Sequence, residues 1–250
     1  INKLNEMYQP ERLIPTAYEF TDIAGLVKGA SQGEGLGNKF LSHIRETDAI
    51  CEVVRCFKDN SIIHVDGNVD PIRDIETINL ELILSDAEIL ERRIANLDII
   101  NNRLEKVAKK ARTTKNKEDL LEVETLEKSK DYLEKNVPLR LVEYSDEERL
   151  ILKNYSFLTL KPIIYLANVS EEDLAKEDNE YVKLVKEYAK KEKAPVVVLC
   201  AKVEEELSEL SDSDKEELLS ALGIGVSGLD KLIKATYDLL GLATYFTVGK

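Results

Sequence analysis

The stretch Phe20-Thr21-Asp22-Ile23-Ala24-Gly25-Leu26-Val27-Lys28-Gly29-Ala30-Ser31 decides the fold: a strand-like run, Thr16 to Asp22, opens into Asp-x-x-Gly and a glycine-rich loop. An Asp at the carboxyl end of a buried strand, followed by a glycine that can approach a phosphate, is how phosphate-binding α/β domains hold Mg²⁺ and sense a γ-phosphate. Asp followed by Gly is also ordinary turn chemistry, so the weight of the stretch comes from what the other strands deliver.

Three further apolar runs read as strands: Ala49 to Phe57, Lys161 to Asn168 and Ala194 to Ala201. Near-continuous apolarity in Pro162-Ile-Ile-Tyr-Leu-Ala and Pro195-Val-Val-Val-Leu fits central strands of a parallel sheet covered on both faces. Helical patterns over Gly37 to Thr47, Asn179 to Lys191 and Leu229 to Leu240 supply the crossovers. The expected fold class is α/β with a mostly parallel sheet.

Ligands in such sheets bind outside the carboxyl ends of the strands. Those ends are Asp22 to Gly25, Phe57, Asn168 to Glu171 and Cys200 to Lys202. Asn168-Val169-Ser170-Glu171 stands where P-loop GTPases carry Asn-Lys-x-Asp, whose carboxylate accepts hydrogen bonds from guanine N1 and N2. Adenine lacks the 2-amino donor and its N1 is an acceptor, so Val169 for Lys and the longer Glu171 for Asp predict adenine-leaning recognition. Cys200-Ala201-Lys202 resembles the Ser-Ala-Lys loop that lines the base pocket of the same enzymes. Together these motifs predict binding of a nucleoside triphosphate.

Between the second and third strands lies a segment of different character, Asp74 to about Asn136, rich in Glu, Lys, Leu and Ile and free of Pro and Gly. Leu90, Ile94, Leu97, Asn101, Leu104, Ala108 and Ala111 alternate steps of four and three, and Val123, Leu126, Lys130, Leu133 and Val137 repeat similarly. The pattern predicts two antiparallel helices in a coiled-coil-like arm with its tip at Arg112 to Asp119. From Arg103 to Lys117 the local balance is +6, carried by residues including Lys109, Lys110, Arg112, Lys115 and Lys117. An anionic partner landing on that tip and a merely solvated helix face both remain open.

The composition, 250 residues with 43% hydrophobic and 33% charged, allows a real core. A net charge of −13 opposes non-specific attraction to nucleic acid by the surface as a whole. No apolar run is long enough to span a bilayer and no leader-like segment opens the chain, so a cytoplasmic protein without membrane contact is expected, and no DNA partner. Cys51, Cys56 and Cys200 match no zinc spacing and read as small buried residues. The chain starts at Ile1 and ends inside a strand-like run, Ala243 to Lys250, so both ends look cut from something longer.

The stretches Asp22 to Asn38, Arg55-Cys56-Phe57, Ser156 to Pro162, Asn168 to Glu171 and Ala243 to Gly249 together resemble the YchF/Obg-like ATPase family of translation-factor-related P-loop NTPases. The resemblance implies a Ras-like nucleotide-binding domain over 1–80 and 138–247, interrupted by a coiled-coil insertion over 81–137, with a TGS-like domain beginning at 243–250. It implies hydrolysis of ATP in preference to GTP, Mg²⁺ as cofactor, and association with the ribosome or its RNA. By matching motif, Asp22 would hold Mg²⁺ through water and Gly25 would face the γ-phosphate. Asn168, Val169, Glu171 and Ala201, with Cys200 and Lys202 in the same loop, would enclose the base, and Phe57 would lie beside it.

One departure is decisive: no Gly-x-x-x-x-Gly-Lys-Ser/Thr occurs in the sequence. In the family that motif lies upstream of a segment resembling Ile1 to Gln9, so nucleotide binding and activity are expected of the intact protein rather than of these residues alone. Leu26 follows Gly25 where many GTPases place the Gln that orients water. His64, on the polar loop Asn60 to Gly67, is the candidate replacement, and the resemblance points to it too. His43, in a helical run, reads as structural. Gly33-Glu34-Gly35-Leu36-Gly37 follows a loop rather than a strand and reads as a hinge rather than a dinucleotide fingerprint. Two functions follow: an ATP-hydrolysing switch, or a non-catalytic RNA- or ribosome-binding module acting through the basic tip.

Overall fold

The computed structural model describes residues 2–9, 11–14, 19–23, 36–62, 64, 67–108 and 117–247. A three-stranded parallel sheet lies at its centre, in the order β1 (Ile50–Arg55), β2 (Ile163–Asn168), β3 (Val196–Leu199). The helices in chain order are α1 (Asn2–Tyr8), α2 (Leu36–Glu46), α3 (Pro71–Ala108), α4 (Lys117–Glu134), α5 (Asp146–Leu152), α6 (Glu180–Glu192), α7 (Ala201–Ser208), α8 (Asp212–Ala221) and α9 (Gly228–Leu239).

β2 is buried along its length up to Asn168, as a central strand covered on both faces must be. Side chains alternate across the sheet. Val54, Cys56, Ile163, Tyr165 and Ala167 pack with Ile75 of α3 and Val182, Val185 and Ala189 of α6. Ile164, Leu166, Val197 and Leu199 meet Leu232 of α9 on the other face. Register sets Arg55 beside Asn168 and Asn168 beside Leu199, so the carboxyl ends of all three strands finish level.

Two helices that cover the sheet have a local reason to start. Asn179 caps α6 by accepting from Val182 N–H at 3.0 Å, and Lys193 ends it in the left-handed region at φ 55°. Ser227 caps α9, and Glu204 of α7 accepts from the next two amides, Gly228 at 2.7 Å and Leu229 at 3.1 Å. Gly228 must be glycine, because a Cβ there would stand 2.3 Å from the Leu199 Cβ.

Two expectations need correction. Glu19 to Ile23 carry no regular secondary structure, although a strand is expected through Asp22; Thr16, Ala17 and Tyr18 lie outside the described residues. A strand exists only through its ladder, and among the described residues β1 pairs with β2 alone. The second concerns the helix pair. Arg93 pairs with Glu122 at 3.0 Å and Glu91 with Lys130 at 3.7 Å, so α4 runs back along α3. Leu90, Leu126 and Leu133 are buried between them as the repeat predicts, but Lys130 is 34% exposed and its neighbour Ser129 is buried instead. Ser129 fits because its hydroxyl bonds the Thr125 carbonyl at 2.8 Å and the Tyr144 hydroxyl at 2.9 Å, while Lys130 turns outward to Glu91 at 3.7 Å and Glu134 at 3.8 Å.

Asp86 of α3 is fully buried and gathers four donors. Its Oδ1 accepts from Leu158 N–H at 3.0 Å and Arg45 at 3.2 Å, and its Oδ2 from Thr159 N–H at 2.7 Å and the Thr159 hydroxyl at 2.8 Å. This carboxylate ties α3 to α2 and to the 3-10 turn Leu158–Leu160 that leads into β2.

A second buried polar cluster lies under the sheet. Glu192 accepts from Arg140 at 2.8 Å and from the Tyr165 hydroxyl at 2.8 Å, while Arg140 also reaches Asn79 at 2.9 Å. Glu52 of β1 is buried beside it, with its Oε2 unpaired. Burial pushes the Glu52 carboxyl well above the usual range, against the pull of Arg140. Burial also raises the Cys51 thiol to about 11 and the Cys56 thiol to about 12, which fits small structural cysteines rather than nucleophiles.

Two outcomes follow for stability. Asp86→Asn keeps the shape but turns an amide donor toward donors, so urea unfolding should show a loss of about 3 kcal/mol, while removal of the exposed Glu88–Arg92 pair leaves the midpoint unchanged. Because the folded state binds the Glu52 proton more tightly than the unfolded chain, stability falls as pH rises from the ordinary carboxylate range through the raised folded value. Glu52→Gln should therefore raise the midpoint relative to the parent above that value and give no such gain at pH about 4, which thermal melts across pH will read.

Candidate functional site

The level strand ends bring three sequence-predicted segments together. Asn168 sits at the centre: its carbonyl accepts from Cys56 N–H at 2.8 Å, and its side-chain Oδ1 accepts from Ala201 N–H at 2.9 Å. The side chain thereby fastens the loop after β2 to the first amide of α7. Val169 N–H closes the ladder on the Leu199 carbonyl at 2.9 Å. Its side chain is 2% exposed and packs with Val54, Cys56 and Tyr165 in the core.

Glu171 and Lys202 face each other across the same edge. Lys202 Nζ lies 3.4 Å from Glu171 Oε2, with 69% and 46% of the side chains exposed. An ion pair this open is weak, so either partner is available to a ligand at little cost. Cys200 is buried at the N-cap of α7, where its carbonyl accepts from Glu204 N–H at 3.0 Å, and Ala201 beside it is exposed.

Phe57 follows β1 on a loop organised by Arg55. The Arg55 guanidinium lies 4.8 Å over the Phe57 ring and donates to the carbonyls of Phe57 at 3.2 Å, Asp59 at 3.0 Å and Ile62 at 3.2 Å. An open cleft of about 400 Å³ runs between Phe57, Ser170, Asp173, Asn179 and Tyr181. Asn179 joins its walls, donating to the Cys56 carbonyl at 2.9 Å and to Asp173 at 3.1 Å.

His64 is anchored on α3. Its Nε2 lies 3.0 Å from Asp74 Oδ2 in the first turn of α3, and Arg73 braces the other Asp74 oxygen at 3.3 Å. Asp22 is exposed, and no hydrogen bond or ion pair among the described residues joins it to His64 or to the base-side residues. Gly25, Lys109, Lys110, Arg112 and Lys115 lie outside the described residues, and Lys117 opens α4. Among the described residues no group of His, Cys, Asp and Glu could hold a metal by itself.

Sequence reading missed Arg55, Asp74 and Asn179. Asn179 carried a signal, an Asn immediately before a helical pattern. Arg55 stands in the Arg55-Cys56-Phe57 stretch that carries the resemblance, but its role, like that of Asp74, arises where a loop closes on a strand or a helix start in space.

The Asn168 bridge should be measurable. Asn168→Ala leaves the Ala201 amide without its acceptor, and we expect a stability loss of about 1 kcal/mol with faster hydrogen exchange at Ala201. Unchanged exchange there would show that the bond does not hold the loop.

No protein-family model matches the chain. Over its whole length it is 54% identical to the "Ribosome-binding ATPase YchF" of Bacillus subtilis, of which it covers 66%. It is 49% identical to the protein of the same name from Haemophilus influenzae and 41% identical to that from Mycoplasma pneumoniae, covering 65% and 67% of them. The chain thus spans about two thirds of the length of these relatives. Among solved structures, the Schizosaccharomyces pombe YchF GTPase superposes with a TM-score of 0.80 at 37% identity, over 99% of this chain and 65% of that one. With sequence identity running end to end and the solved structure matched over 99% of this chain, the chain belongs to the YchF family.

Proposed function

We propose that the protein is an ATP-binding, ATP-hydrolysing switch that acts on the ribosome in the cytoplasm, with the base held at the carboxyl ends of β2 and β3. The observation that carries this reading is the bond from Ala201 N–H to Asn168 Oδ1, which makes one ligand-facing edge of two loops distant in sequence. Glu171 offers acceptor oxygens at that edge and Phe57 an apolar ring nearby. The valine at 169 and the glutamate at 171 favour adenine over guanine, because the paired N1 and N2 donors of guanine need the shorter aspartate geometry.

Asp22 is the residue to hold Mg²⁺ through water. A single exposed carboxylate suits that ion, which keeps several waters and binds through one or two carboxylates plus substrate phosphates. Gly25 would approach the γ-phosphate. His64, fixed through Nε2 by Asp74, would orient the attacking water in place of the glutamine that Leu26 cannot mimic. The sequence contains no Gly-x-x-x-x-Gly-Lys-Ser/Thr, so the phosphate cradle is not carried by these residues. The domain reading is 1–80 and 138–247 as the nucleotide-binding unit, 81–137 as a coiled-coil arm that takes up α3 beyond its first turns together with α4, and a TGS-like domain beginning at 243–250.

The basic run from Arg103 to Lys117 supports a second reading for the chain by itself, a non-catalytic module that contacts ribosomal RNA through the arm. In the switch reading the same run reports nucleotide state to the ribosome, with neither DNA nor membrane as partner. Among the described residues no helix is long and apolar enough to cross a bilayer.

Calorimetry with ATP and GTP, on this chain and on the chain joined to an upstream P-loop segment of the family's kind, tests the proposal. ATP binding by the joined chain alone, tighter than GTP, is expected; no binding by either would leave the RNA-binding reading. In the joined chain, His64→Ala should lower kcat about a hundredfold with little change in ATP affinity, and unchanged turnover would remove the histidine from the mechanism.

A further inference from the structure

We propose that the edge of β3 that no strand among the described residues pairs is a docking site for an extended acidic peptide, which adds to the sheet as a further strand. The parallel ladder fixes which peptide groups are available. Pro195 and Leu199 carbonyls accept from Tyr165 and Val169 of the β2 side, so Val197 and Leu199 face β2 while the amide and carbonyl of Val196 and of Val198 point away from it. Among the described residues no other backbone group pairs with them. A peptide laid along this edge would satisfy both residues, which is the bonding that strand addition uses.

The groove beside the edge is shaped for side chains and charged for acids. An open channel of about 380 Å³ runs between Val196, Val197 and Val198 and the flank of α9, with Lys231 and Lys234 against one acid, Asp238. Lys190, Lys191 and Lys193 lead directly into the strand, and Glu192 among them is turned inward onto Arg140. Among the described residues none of these five lysines has an ion-pair partner. In a protein of net charge −13, two unpaired lysines against a single acid along the groove are a local exception.

The charge also selects among occupants. A second copy pairing edge to edge would bring two sets of lysines together, the arrangement that keeps natural edges from self-association. A nucleic acid would use the lysines but leave the outward peptide groups of Val196 and Val198 and the valine-lined channel without partners. An acidic strand of alternating apolar residues uses all three features.

The probe is a short, end-blocked, fluorescein-labelled peptide of alternating glutamate and valine, titrated into the full chain by anisotropy. Binding that weakens with salt is expected, together with slower hydrogen exchange at the Val198 amide when the peptide is present. Val198→Pro removes the outward donor without removing a ladder bond and should weaken binding about tenfold. Lys231→Glu with Lys234→Glu should weaken it about tenfold as well. Circular dichroism checks the proline variant; if it does not fold, the lysine pair and the Val198 exchange decide. The proposal is overturned if a serine-valine peptide binds equally well, or if a folded Val198→Pro binds as the parent does. Single-stranded polyuridylate bound more tightly than the peptide and unaffected by Val198→Pro would assign the face to nucleic acid. Concentration-dependent dimers in sedimentation that protect Val198 without peptide would assign it to a second copy.

Discussion

The architecture turns on one buried carboxylate. Asp86 stands near the middle of α3, the longest helix among the described residues, and its four donors come from α2 and from the turn that feeds the central strand. A buried charge is tolerated only where donors saturate it, so the positions of three elements are set together rather than one by one. The lead-in to β2 is fixed at one end by this carboxylate and at the other by the ladder on β1 and β3. Whatever the strand ends present to a ligand inherits that rigidity.

At the strand ends the division of labour is visible residue by residue. Val169 belongs to the core and Asn168 to the joint between loops, so the surface open to a ligand comes from Glu171, Ala201, Lys202 and Phe57. A lysine in place of Val169 could not be buried there without a partner for its ammonium. The valine proposed to favour adenine is therefore also a core residue, so any change there acts on packing as well.

Much of this was legible in the sequence because it obeys short-range rules. The apolar runs around Ile163 and Val196 gave their strands within two residues, the helix over Glu180 to Glu192 carries its own cap, and the loop motifs at Asn168 and Cys200 lie where parallel topology puts ligands. What was hidden depends on distance in space. Ser129 fills the helix seam because Tyr144, fifteen residues on, reaches its hydroxyl, and periodicity alone prefers the long apolar stem of Lys130. Asp74 braces His64 and Arg55 shapes the Phe57 loop through contacts that no spacing encodes. The strand expected through Asp22 illustrates the converse: propensity proposes a strand, and only a neighbour with free backbone groups makes one.

Glu204 carries a consequence of its own. It lies one turn into α7, whose first amide is clasped by Asn168, and its carboxylate holds the opening amides of α9 while Gly228 presses on Leu199. Loop, helix and final helix therefore move as one linkage. The covalent route between them runs through α8, whose Leu218 and Leu219, with Leu222 at its C-cap, pack on Cys200, Val203 and Leu207. A displacement at the base-side loop would therefore reach α9 by two routes at once, the Glu204 carboxylate and this packed helix.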